Sequence, residues 1–224
     1  MKYKKIIKGI FIERPNRFIA KVLINGNIET CHVLNTGRCK ELLTNGATVY
    51  LEESDNINRK TKYDLVKVVK GDKLINMDSI APNKVAEEFF KKRYDNVLRE
   101  VKYKNSRFDL FVNGDTFIEV KGVTLEKDNI AMFPDAPTDR GRKHIYELID
   151  AVKNGYNAKI MFVIQFKGAK KFIPNYKTDP EFKKALLYAK ENGVEILAYD
   201  CIVTEDALTI NERVEVCLDS LLPI

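Results

Sequence analysis

Within the string RFDLFVNGDTFIEVKG, residues 107–122, nine residues separate Asp109 from Glu119, and Lys121 follows two positions later. Two carboxylates held together repel, so they share a proton, recruit a basic neighbour or hold a divalent cation. One or two carboxylates completed by water and a phosphate are what Mg²⁺ takes, with Mn²⁺ as its substitute. A lysine beside such a pair orients or helps deprotonate an attacking water, or steadies charge developing on a phosphate. These residue types at this spacing therefore point to metal-assisted chemistry on a phosphate.

For the carboxylates to meet, the segment must fold as a hairpin in one register. Side chains alternate faces along a strand. Phe108, Leu110 and Val112 form one set, and Ile118 and Val120 the matching set on the second strand. Asp109, Glu119 and Lys121 fall on the other side. A two-residue Asn113-Gly114 turn pairs Asp109 with Ile118 and mixes charge into the apolar face. A three-residue loop, Asn113-Gly114-Asp115, pairs Val112 with Thr116 and Asp109 with Glu119. The faces then agree throughout, so the hydrophobic pattern selects it. It sets the carboxylates roughly 5 Å apart at Cβ.

The flanking segments supply the elements that hold this hairpin. After "DSIAPNKV" the sequence reads as helix from Lys84 to about Arg99, with Asn83 as N-cap and Pro82 breaking the preceding strand pattern. Thr138 is the N-cap of a further helix, in which Ile145, Leu148, Ile149 and Val152 make an i, i+3, i+4, i+7 stripe and Gly155 lies past the end. AKIMFVIQF, residues 158–166, reads as a strand buried on both faces. A last helix runs from about Asp179 to Asn192, with Pro180 at its first position and Gly193 as terminator. VEILAYDCIV is another buried strand. Strands alternating with helices make this part α/β.

Residues 1–80 read differently. KIIKGIFIER, RFIAKVLING, ATVYLEE and YDLVKVVKG are β-rich runs, and Asn25-Gly26 and Asn45-Gly46 are turn signals. About five short strands with one helical interruption near GRCKELLT indicate a small OB-type barrel, with a Greek-key sandwich as runner-up.

The net charge of +6 sits wholly in this part: residues 1–80 carry 15 Lys and Arg against 9 Asp and Glu, and the remainder 23 of each. Such asymmetry points to a polyanion partner; solvated lysines kept for solubility are the plain alternative. Arg14, Arg17, Arg38 and Lys40 are candidate phosphate contacts. Arg140, Arg142 and Lys143, at a helix start with free backbone N–H groups, form a second set. Phe11 and Phe18 suit a barrel core or a base-stacking platform, core being the better fit. His144 flanks the apolar stripe and reads as a packing histidine.

No stretch approaches the roughly 18 apolar residues of a membrane span. The basic N-terminus lacks the apolar region of a signal peptide. Cys31, Cys39, Cys201 and Cys217 fit no metal knuckle and read as thiols in a reducing cytoplasm.

The pattern D-x9-E-V-K resembles the core of the PD-(D/E)xK nuclease superfamily, and the helix before it, the apolar strand behind and the helix after supply that core's α-β-β-β-α-β order. A longer string is more specific. SRFDLFVNGDTFIEVKGVTLEKDNIAMFPDAPTDRGRKHIYEL, with NRFIAKV, CHVLNTGR and APNKVAEEFF, closely resembles the sugar fermentation stimulation protein A family over nearly the whole chain. The resemblance implies an OB-like nucleic-acid-binding domain over residues 1–80 and a restriction-endonuclease-like α/β domain over 81–224. It implies DNA as partner, with little sequence specificity, and a tie to regulation of sugar metabolism. It carries the nuclease acids onto Asp109 and Glu119, the lysine onto Lys121 and the acid of the first helix onto Glu88, with Glu87 as a rival. The expected function is Mg²⁺-dependent phosphodiester hydrolysis; the alternative is a catalytically silent DNA-binding regulator that uses the fold as a surface. The oligomeric state stays open, a homo-oligomer included.

Overall fold

The computed structural model describes residues 1–35, 37–56 and 58–220. Its first part is a β-barrel of β1 (Ile6–Asn16), β2 (Ile19–Ile24), β3 (Asn27–Val33), β4 (Thr48–Glu53) and β5 (Tyr63–Lys70). β2–β1–β4–β5 and β2–β3 pair antiparallel, and a parallel β3–β5 pairing closes the barrel. This is the OB-like arrangement expected from the sequence. Asn25 and Gly26, with φ of 49° and 83°, make the two-residue turn between β2 and β3, the positive-φ pair that suits the twist of a hairpin. Phe11, Val22, Leu51 and Leu65 fill the interior. GRCKELLT forms no helix among the described residues. A single turn, with Leu42 and Leu43 N–H donating to Cys39 O, presses Cys39, Leu42 and Leu43 into the core. Cys39 at φ 46° and the Asn45-Gly46 turn leave no room for a second turn.

A sixth strand, β6 (Lys73–Asn76), pairs with β5, and α1 (Ala81–Lys91) follows. Here the sequence reading needs correction at both ends. Pro82 lies in the first turn of α1 instead of ahead of it, and Ile80 is the N-cap. Proline's fixed φ is made for that position, where its missing N–H costs nothing. The helix stops at Lys91 instead of near Arg99, and residues up to Tyr103 form β7 (Val97–Tyr103). That strand is a charged sheet edge with few buried residues. Its period-2 signal is therefore weak, as edge strands often are.

The α/β part continues with β8 (Ser106–Val112), β9 (Thr116–Val123), β10 (Leu125–Lys127), β11 (Ile130–Phe133), α2 (Asp139–Lys153), β12 (Asn157–Ile164), β13 (Lys171–Pro174), α3 (Pro180–Glu191), β14 (Glu195–Val203), β15 (Leu208–Arg213) and β16 (Glu215–Val216). The main sheet runs β15-β14-β12-β9-β8-β7. Its centre, β9, β12 and β14, is parallel. A small sheet, β10-β11-β13-β16, lies beside it. Helix α1 covers one face over Ile118, Val120, Met161 and Val163. Helices α2 and α3 cover the other through Ile145, Leu148, Ile149, Phe182 and Leu186. Covered on both sides, Ile160–Ile164 are completely buried, which is why AKIMFVIQF shows no alternation. Thr138 caps α2 as expected, accepting from the Gly141 N–H, and Asp179 caps α3, accepting from the Phe182 N–H.

The barrel is hydrogen-bonded to the α/β part. Asn76 donates its side-chain amide to Gln165 Oε1 at 2.7 Å and its backbone N–H to Gln165 O at 2.9 Å. The Lys67 ammonium, over the ring of Tyr3, donates to Glu205 O at 2.9 Å. Among the described residues no helix is long and apolar enough to cross a membrane. All four cysteines are free, and Cys31, Cys39 and Cys201 are buried; burial pushes the Cys31 and Cys39 thiols up to about 12.

Candidate active site

The β8–β9 hairpin has the register that hydrophobic pattern selects: Val112 opposite Thr116, Phe111 opposite Phe117 and Leu110 opposite Ile118. One residue further, where Asp109 reaches Glu119, the ladder opens. On its other side β8 skips the Glu100–Asp109 pair, with Glu100 at φ 54°. The alternation also fails here. Leu110 and Val112 pack under α1, whereas Phe108 joins the opposite layer with Tyr103 and Phe117. The expected single set of Phe108, Leu110 and Val112 is therefore split at Asp109. The carboxylate itself fills the fork between the strands. Its Oδ2 accepts from the Val120 N–H at 2.7 Å, and its Oδ1 accepts from the Asn83 side-chain amide of α1 at 2.7 Å.

Glu119 is 3% exposed. Its Oε1 accepts from Lys121 Nζ at 2.6 Å and from His144 Nδ1 of α2. A carboxylate only accepts, so Nδ1 carries the hydrogen. Its Oε2 is buried and has no partner among the described residues. Burial pushes Glu119 up, but the hydrogen bond from His144 and the charge of Lys121 bring it below its ordinary range. Asp109 goes the other way: burial, then the charge of Glu119, raise it to about 6. Environment thus separates the two carboxyl groups, one held ionised and one poised near neutrality.

A buried carboxylate oxygen without a partner is expensive unless something positive completes it. Among the described residues no three His, Cys, Asp or Glu side chains cluster as metal ligands. Carboxylate oxygens are the donors that a hard cation such as Mg²⁺ or Mn²⁺ takes. Asp109 and Glu119, through its free Oε2, are the residues that would hold it.

The other expected residues divide. Glu88 is not part of this constellation. Its Oε2 accepts from the Met1 amino group at 2.8 Å. Five positions from Asn83 on α1, it points about 140° away from the residue that holds Asp109. Glu87 pairs with Lys91 and Arg99. Arg14 is not a free phosphate contact either: its two terminal nitrogens donate to the carbonyls of Gly37, Arg38, Arg17 and Asn35, at 2.6–2.9 Å. It ties the loop after β3 to β1. Arg17, Arg38 and Lys40 are exposed around a cleft of about 500 Å³ that they share with Arg14. Beside them Phe18 is 50% exposed, whereas Phe11 is core. At the start of α2, Arg140 and Lys143 are exposed, while Arg142 is committed to Asp139 and to Asp179 at 2.6 Å. Asn83 and the site role of His144 escape a reading of spacing alone. Each lies on a helix separate in sequence from the acid it holds, and a polar residue within an otherwise apolar helix face is the only local sign of either.

Comparison with known proteins accounts for this arrangement. The family model for the SfsA N-terminal OB domain matches residues 12–77, and that for the sugar fermentation stimulation protein RE domain matches residues 79–207. A sugar fermentation stimulation protein homolog of Clostridium beijerinckii is 56% identical over 97% of this chain and 100% of its own. One from Ruminiclostridium cellulolyticum is also 56% identical, over the same shares. The solved structure of Pyrococcus furiosus SfsA in complex with Ca²⁺ superposes with a TM-score of 0.86 at 30% identity, covering 96% of this chain and 97% of that one. With both domain models matched in order and relatives aligned end to end, the chain belongs to the sugar fermentation stimulation protein (SfsA) family.

Proposed function

We propose that the chain is a divalent-metal-dependent nuclease acting on DNA, with Asp109, Glu119 and Lys121 as its catalytic set. The observation that carries this reading is the unpartnered buried Oε2 of Glu119 beside Asp109, at a fork where the sheet has given up its own hydrogen bonds. The Pyrococcus furiosus relative was solved as a complex with Ca²⁺, which supports a hard divalent cation as a ligand of this fold.

A bound cation supplies Lewis acidity at a phosphoryl oxygen and offsets the charge that forms there. The side chains do the rest. Asp109 must be ionised to take part. Glu119 is held in that state by His144 and Lys121. The Lys121 side chain, 15% exposed, offers an ammonium to orient a water or to steady charge on the phosphate. Asn83 and His144 fix the two carboxylates from opposite faces of the sheet. Exposed Arg17, Arg38, Lys40, Arg140 and Lys143 supply sequence-independent phosphate contacts. We read the family's tie to sugar fermentation as downstream of this action on DNA in the cytoplasm.

The test is a cleavage assay on labelled single-stranded, double-stranded and branched DNA and RNA. It compares wild type, Asp109→Ala and Lys121→Ala in Mg²⁺, Mn²⁺ or EDTA. Metal-dependent cleavage lost in both variants is expected. Salt-sensitive binding without cleavage on any substrate would replace the nuclease with a DNA-binding protein on the same fold.

A further inference from the structure

A cleft of about 340 Å³ opens at Gly122, the residue after Lys121. It runs along the carboxyl ends of β9 and β12 to the loop after β11. Gln165 forms part of its floor and is 1% exposed. Its Oε1 is taken by Asn76, but its amide nitrogen has no partner among the described residues. That nitrogen lies 3.1 Å from where a Cβ on Gly122 would sit, and such a Cβ would also come within 2.7 Å of Pro82. Glycine therefore keeps the approach to the amide open. The wall formed by Met132, Phe133 and Pro134 is apolar, and Asp135 at its end forms no ion pair among the described residues.

The chemistry of this lining selects a ligand. A carboxylate at the mouth rejects a second phosphate. An amide donor in the floor calls for an acceptor, Asp135 calls for a donor, and the apolar wall calls for a flat face. A nucleobase offers all three: donors and acceptors on one edge and an apolar face. The cleft begins one residue along β9 from Lys121, about 3.3 Å of strand, so a base held in it would belong to a nucleotide close to the phosphate at the metal site. A base inside a duplex has that edge paired and both faces stacked.

We propose that this cleft is a nucleobase subsite, and that the substrate is a strand presenting an unpaired, unstacked nucleotide beside the scissile phosphate. The proposal rests on the nuclease reading and names its substrate class. Gln165→Glu keeps the acceptor for Asn76 while replacing the free donor, and Asp135→Asn removes the charge on a partly exposed loop. Neither touches Asp109, Glu119 or Lys121.

The experiment measures binding and cleavage, in Mg²⁺ and in Ca²⁺, of the shortest single-stranded DNA that binds with full affinity, so that its register is fixed, with an abasic residue moved through the sequence one position at a time. Intact wild-type protein is expected to lose about tenfold or more in affinity when the abasic residue occupies one particular position, the size that base stacking gives. Gln165→Glu and Asp135→Asn are expected to flatten that position dependence. A flat abasic scan with the wild-type protein overturns the subsite, as does an absence of single-strand binding. Cleavage of every abasic strand at the intact rate would leave hydrolysis standing and remove the subsite. A position-dependent scan without cleavage would do the reverse.

Discussion

Asp109→Asn is the substitution that tests the site most sharply, because stability and metal response should move in opposite directions. Burial and the neighbouring Glu119 raise Asp109 from 3.8 to about 6. At one pKa unit per 1.36 kcal/mol, ionising it in the metal-free fold costs at most about 3 kcal/mol. The cost follows pH in a definite sense. Below pH 3.8 the carboxyl is protonated folded or unfolded, and nothing is lost. Between 3.8 and about 6 the folded state binds more protons, so stability falls as pH rises; above that the full cost applies. Asparagine carries no such cost. Its carbonyl still accepts from Val120, and Asn83, by turning its own amide, accepts from the new NH₂. In EDTA at pH 8 the variant should therefore be more stable than wild type, by up to about 6 °C in Tm for a chain of this length. The gap should close toward pH 4. Mg²⁺ at ten times its dissociation constant should add about 1.4 kcal/mol to wild type and nothing to the variant. Thermal or urea denaturation across pH, with and without metal, reads all of this. A variant less stable than wild type in EDTA at pH 8, or a gap that persists at pH 4, would refute the electrostatic argument. A metal shift retained by Asp109→Asn would refute its role as ligand.

Other outcomes follow from other residues. Lys67 is held down to about 8 by burial, so the unfolded state binds more protons above that pH and stability rises between pH 8 and 10; Lys67→Met should remove about 2 kcal/mol of that rise, read as the difference between the two proteins' urea midpoints. Glu88→Gln should leave the metal-induced Tm shift and any cleavage unchanged, since its partner is the Met1 amino group; a lost shift would return Glu88 to the metal site. Arg14→Ala should cost about 2–4 kcal/mol by denaturation, because four backbone carbonyls lose a charged donor. Arg38→Ala should alter stability by less than about 0.5 kcal/mol and reduce the salt slope of DNA binding by about one.

The elements that local chemistry dictates are legible in the sequence. Asn25-Gly26 fixes a hairpin, Thr138 and Asp179 start helices, and Val112 finds Thr116 because any other pairing turns charge into the core. What is not legible depends on contacts made at a distance. The strand Val97–Tyr103 is an edge with one buried side chain, so nothing in it outweighs the helical propensity of the residues before it. Asn83 reads as a helix cap, yet its amide goes to Asp109, 26 residues away. Glu88 matches the first-helix acid that the resemblance implies, and only the rotation of α1 about its axis sends it elsewhere.

The hairpin that reveals the site also misleads about its geometry, and for a physical reason. Perfect alternation predicts an unbroken ladder with the carboxylates directly opposed. An unbroken ladder would give the Val120 N–H to a backbone carbonyl and leave Asp109 with no fixed donor on that strand. Parting β8 from β9 exposes that N–H and lets it hold the carboxylate instead. With the same parting Phe108 leaves the Leu110–Val112 face for the opposite layer. Thus the break in pattern, the displaced phenylalanine and the anchored acid are one feature. A site that must hold two like charges needs a place where the sheet's own hydrogen-bonding groups are free to hold one of them.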